Sequence, residues 1–188
     1  MSGYDAVRLH AALNDLPTAL LAAAVLFELG SWLRKRESLA WASLWCLWVG
    51  VLGGWAAVIA GKLAGEEIDH GDAIHEIMKR HQLFGMIVMG FFTALLIWKL
   101  WRRAGRSATE EGALRALGVA GLAGLLFVAN LGGRLVFNHA AGVSNADMIA
   151  ELKDRKALPA MTDSAAAAAA APTGQGHTHA PGTPPHEH

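Results

Sequence analysis

Nine histidines stand in this chain of 188 residues, and three of them suggest a shared chemistry. His10 precedes the first apolar run, His81 opens the third and His139 closes the fourth. Imidazole is the commonest side-chain ligand for metals, and a haem iron takes two axial ligands of this kind from facing helices. A flat macrocycle also needs room beside its ligands. Gly85 follows His81 by four residues and Gly132 precedes His139 by seven, so each shares a helical face with its histidine. Arg134 lies close to the end of the fourth run. A charge there either meets a partner, such as a haem propionate, or snorkels to the interface. Four more histidines, His177, His179, His186 and His188, form "HTH" and "HEH" near the C-terminus. Such tracts hold copper, nickel or zinc weakly, and a solvated tail with no fixed role is the simpler alternative. "HEIMKRH" lacks the zinc-protease pattern, because Lys79 stands where the second histidine of HExxH belongs.

The elements that must position these groups are four apolar runs, over 16–33, 39–64, 83–101 and 114–137. Each reaches or approaches the roughly 20 residues a helix needs to cross about 30 Å of hydrocarbon. None carries the polar stripe of a soluble helix. The pattern predicts an all-α protein: a four-helix transmembrane bundle, up-and-down, with helices at about 12–33, 39–64, 81–101 and 113–138. The expected membrane domain covers 1–156. The Ala-, Pro-, Gly- and His-rich tail, 157–188, is expected to be disordered.

Charge sets the expected orientation. Arg34, Lys35 and Arg36 lie between the first two runs, and Lys99, Arg102, Arg103 and Arg106 follow the third, whereas the 65–80 segment is acidic. Short basic loops stay in the cytoplasm, so both termini are expected outside, in the periplasm if the membrane is a bacterial inner membrane. Trp32, Trp41, Trp45, Trp98 and Trp101 gather at the expected inner ends, as an interfacial belt does. The first run is read as an anchor rather than a cleaved signal, since no basic segment precedes it. The single cysteine, Cys46, excludes a disulfide within one chain. A formal net charge of zero gives no reason to expect nucleic acid.

Alternating helices bring His10, His81 and His139 to one level. Neighbouring helices lie about 8–10 Å apart and diagonal ones roughly 12–14 Å, and the larger spacing suits two histidines on one iron. Helices one and three are diagonal, which selects His10 and His81 as ligands, with His139 as a flanking hydrogen-bond partner. If Pro17 began the first helix, His10 would precede it and His139 would substitute. Deeper in, Glu28 follows His10 by eighteen residues and Lys99 follows His81 by eighteen. Eighteen residues make five turns, so each charge shares its histidine's face if the first helix runs unbroken past Pro17. Glu28 is then expected to approach Lys99, or failing that Arg102. Glycines at 50, 53, 54, 61, 65, 118, 121 and 124 suit either close helix packing or a flat ligand.

Three stretches, "LHAALNDLP", "HQLFG" and "NHAAGV", in this order and spacing, resemble the domain-of-unknown-function family numbered 2231, small predicted membrane proteins with four spans. The likeness covers roughly residues 8–145. It carries over His10, Pro17, His81, Gly85 and His139; Asp15 stands where members often have a second histidine. The resemblance implies the four-span fold and these positions, and leaves the activity open.

Three functions remain at this stage. The leading one is a b-type cytochrome-like subunit with one haem b near the outer face. It would pass electrons between quinol and a periplasmic electron-transfer protein, within a larger membrane complex. The second is a protein that handles copper or another transition ion through its outer histidines and tail. The third is a structural membrane subunit with no cofactor.

Overall fold

The computed structural model describes residues 5–67, 72–102, 105 and 107–154, and among these every regular element is an α-helix. They are α1 Asp5–Arg34, α2 Glu37–Glu67, α3 Asp72–Trp101, α4 Ala108–His139 and α5 Asn145–Asp154. The first four are long and apolar enough to cross a membrane. The chain is a multi-pass membrane protein, with four such helices among the described residues.

Each helix is longer than its hydrophobic run, because the helical hydrogen-bond ladder continues beyond the stretch that hydropathy marks. The correction matters most for α1. It begins at Asp5 rather than near residue 12, so His10 lies in its second turn and Pro17 lies inside it. Pro17 has no N–H to give to Leu13, and the next residue eases the local polarity: Thr18 Oγ1 donates to the Asn14 carbonyl at 2.8 Å. α3 likewise starts at Asp72, nine residues before His81. α4 opens on a capping box, in which Ser107 Oγ accepts from Glu110 N (3.2 Å) and Glu110 Oε2 accepts from Ser107 N (2.9 Å). It closes on Ala140 in the left-handed region, with Ala140 N–H donating to Val136 O and Ala141 N–H to Leu135 O.

α1 packs chiefly on α2 and α3 chiefly on α4, while α2–α3 and α1–α4 contacts join the two hairpins. α1 and α3 therefore stand on one diagonal and α2 and α4 on the other. The start of α1 and the end of α4 share one end of the bundle, here the terminal end. A Cβ on Gly142 would come within 2.7 Å of Val7 there, and its φ of +88° also favours glycine. The main core lies towards the other, turn end, around Leu21, Val25, Leu47, Phe92, Leu95 and Leu114. Most large apolar side chains on the outer helix faces are left to lipid, among them Trp32, Trp45 and Trp101.

Glu28 and Lys99 meet inside the bundle as their spacing anticipates. Lys99 Nζ lies 2.5 Å from Glu28 Oε2, Ser43 Oγ donates to the same oxygen at 3.2 Å, and Lys99 reaches Ser43 Oγ at 2.9 Å. A helix broken at Pro17 could not have delivered Glu28 to this point on His10's face. Arg115 lies beside this group, paired with Glu111 at 2.8 Å and set 5.5 Å from the Trp32 ring.

Several residues recur at one spacing in the two hairpins. A constant shift of 71 residues carries His10 to His81, Glu28 to Lys99, Gly50 to Gly121, Gly53 to Gly124 and Gly61 to Gly132. Some buried positions repeat too, although α1 lies much more closely on α2 than α3 does on α4. Pro17, Leu21, Ala24 and Val25 are buried on α1, and their counterparts Val88, Phe92, Leu95 and Leu96 are buried on α3. Gly50 makes room for Leu21 as Gly121 does for Phe92, and Gly53 faces Pro17 as Gly124 faces Val88.

Ser144 begins a separate unit. Its hydroxyl caps α5 by accepting from Asp147 N at 3.0 Å. Helix α5 was not foreseen as an element, and the expected tail, with His177, His179, His186 and His188, lies outside the described residues.

Candidate functional site

Two helices present the first histidine and two the second. His10 on α1 has Nδ1 2.8 Å from the carbonyl of Ala57 on α2. His81 on α3 has Nδ1 3.1 Å from the carbonyl of Val128 on α4. A carbonyl only accepts, so each contact assigns the proton of a neutral imidazole to Nδ1 and leaves the lone pair on Nε2. An Nδ1–H bound to a backbone carbonyl is the arrangement that orients histidines whose Nε2 binds a metal.

Glycine makes both contacts sterically accessible. Four residues beyond each accepting carbonyl, one helical turn along, stand Gly61 and Gly132. A Cβ on Gly61 would sit 2.8 Å from His10 Cε1, and one on Gly132 would sit 3.1 Å from His81 Cε1. Of the Gly61–Gly65 pair, Gly61 receives the His10 ring and Gly65 receives Gln82. Each histidine rests on a bare helical turn and bonds to the carbonyl beneath it.

The two rings come together across the α1–α3 diagonal. Their centroids are 6.3 Å apart and their planes cross at 81°. Two imidazoles bound to opposite sides of one metal at about 2.0 Å would have centroids roughly 6.2–6.4 Å apart, allowing about 1.1 Å from nitrogen to ring centre. The rings border a cavity of about 320 Å³. That falls within the usual range of about 300–1,000 Å³ for small-molecule sites. Gly54, Gly61, Gly65, Gly85 and Gly132 line it, with Met78, Met89, Leu125 and Val128 supplying apolar wall and Asn14 and Gln82 polar contacts.

Of the residues expected at the site, His10, His81, Gly85 and Gly132 line this cavity, whereas Arg134 and His139 do not. Arg134 is exposed. It follows Gly132 by two residues, about 200° around the helix, and so occupies the opposite face. His139 does share the face of Gly132, but seven residues carry it about 10 Å further along α4, beyond the level of the His81 ring. The cation on the cavity lining is Lys62, the residue after Gly61. Sequence reading passed over Lys62, although its place inside "AGKLAG" set a charge within a glycine-rich turn. Among the described residues no three His, Cys, Asp or Glu side chains converge as a metal cluster.

A family model described as "Predicted membrane protein (DUF2231)" matches residues 6–145. The chain belongs to this family. The match spans all four long helices of the DUF2231 chain and both cavity histidines. No curated protein and no solved structure gives a match.

Proposed function

We propose that this DUF2231 protein is a b-type cytochrome-like membrane subunit that holds one haem between His10 and His81. One observation carries the reading: two imidazoles on diagonal helices, each held through Nδ1 by a partner helix, have ring centroids 6.3 Å apart, a separation that would let both bind one iron. The cavity of about 320 Å³ between the hairpins supports it, being lined by several glycines and mostly apolar. Lys62 supplies a positive charge on the lining for an anionic edge group such as a propionate. Haem would supply one-electron chemistry. His10 and His81 would hold the iron, their Nδ1 hydrogen bonds would fix their orientation and tune its potential, and the apolar lining would keep water away. Electrons would pass between quinol in the bilayer and an acceptor in the periplasm.

The test is the absorption spectrum of protein purified from membranes with haem in supply. A reduced spectrum with the sharp α and β bands of six-coordinate haem, at one haem per chain, is the expected result. Protein that remains colourless after haem is added removes the reading.

The orientation that goes with this function puts the cavity on the periplasmic side of an inner membrane. It rests on the basic residues at the turn end, where Arg34, Lys35, Arg36, Lys99 and Arg102 stand. A reporter active only in the periplasm, fused after His188, is expected to give signal. Activity from a cytoplasm-only reporter at the same position reverses the orientation.

A further inference from the structure

In a body built from two equivalent halves, a residue that touches its own counterpart stands on the axis relating the halves. Two such contacts occur in this bundle. His10 meets His81 with centroids 6.3 Å apart, and Glu28 meets Lys99 at 2.5 Å, both pairs being counterparts under the 71-residue shift. They lie eighteen residues apart on each helix, about 27 Å, so the axis runs lengthwise between α1 and α3. Parallel repeats of membrane proteins are related in this way, by an axis along the membrane normal.

We propose that the chain is an internal duplication of one helical hairpin, and that its cavity is a pair of equivalent half-sites that close on a planar ligand from both faces. The identity of the ligand as a metal-centred macrocycle rests on the haem reading; the duplication does not. Each half-site has the same parts in the same order: a histidine on the first helix, an accepting carbonyl on the second, and a glycine one turn beyond it. A single hairpin offers one ligand and one face. The site exists only where both meet.

The departures from symmetry have functions as well. Identical hairpins would set Glu28 against a glutamate or Lys99 against a lysine, and like charges facing each other in lipid repel. Opposite charges at equivalent positions favour pairing of the first hairpin with the second over pairing with a copy of itself. Lys62 corresponds to Gly133, so the cavity bears this positive charge on one half only. A ligand with an anionic edge therefore binds in one of the two orientations that strict symmetry would allow.

The experiment uses the full-length chain. Gly61→Ala and Gly132→Ala each bring a methyl against one histidine ring. Retained haem is expected to fall by roughly tenfold or more in both, as for other losses behind a metal ligand. Separately, Glu28→Lys and Lys99→Glu are each expected to lower the unfolding midpoint, and the double exchange is expected to recover most of the loss. Full haem in one glycine variant with loss in the other overturns the equivalence of the half-sites. A double exchange no more stable than the worse single variant overturns the axis. Colourless wild-type protein overturns the haem reading and the ligand class with it, while the charge exchange still tests the Glu28–Lys99 contact that places the axis.

Discussion

His81→Ala is expected to purify without haem, and His10→Ala to lose it nearly as fully. Under the haem reading each histidine would supply one of two ligands to the iron, and a carbonyl from the neighbouring helix already orients it. Removing one leaves a single ligand and a gap where the ring lay against glycine, so both affinity and the low-spin spectrum go. His139→Ala keeps its haem in full, because His139 lies beyond the cavity at the end of α4. The measurement is haem per chain and the reduced spectrum for the three variants, with unfolding midpoints to show that each one folds. Haem retained in full by His81→Ala would refute the ligand assignment.

The largest stability change is expected from Lys99→Met. Lys99 is 9% exposed and Glu28 is mostly buried, and Ser43 binds both. Removing the lysine leaves a carboxylate on a short side chain inside the bundle, at about 3 kcal/mol or more for an uncompensated buried charge. Glu28→Gln should cost less, about 1 kcal/mol, since the lysine left behind keeps Ser43 and can extend towards the turn end. The double variant Glu28→Gln/Lys99→Met removes both charges and is expected to recover most of the loss. Unfolding midpoints in one detergent check the order. If Lys99→Met is no less stable than Glu28→Gln, the pair is not what ties the hairpins at this end.

Much of the architecture could be read directly from the residues. Four long apolar runs gave the spans, and an eighteen-residue step gave the Glu28–Lys99 pair, because a helix returns to the same face every five turns. The same periodicity placed Gly85 beside His81. Arg134 and His139 lie off the cavity lining, each for a simple geometric reason. Arg134 is close to Gly132 in sequence, but two residues carry it to the far side of the helix. His139 had the right face but the wrong height, since hydropathy marks where a span is apolar rather than where the neighbouring helices stand along it.

The recurring spacing is also present in the sequence. Gly50, Gly53 and Gly61 recur as Gly121, Gly124 and Gly132, at the same shift that carries His10 to His81. Few other positions are identical, so the apolar runs conceal the pattern: in lipid, leucine, valine, alanine and phenylalanine are nearly interchangeable. Glycine and histidine are not, because one must admit a ring and the other must reach a carbonyl.

By itself, then, the sequence determined the membrane class, the number of spans, the family and the polar residues that had to find partners. These follow from composition and from periodicity along one helix, which a single chain carries with it. Only the tertiary structure decided which carbonyls orient the histidines, that a cavity lies between them, and that Lys62 rather than Arg134 lines it. Those depend on how each helix is rotated and shifted against its neighbours, and that is fixed by packing among four helices at once.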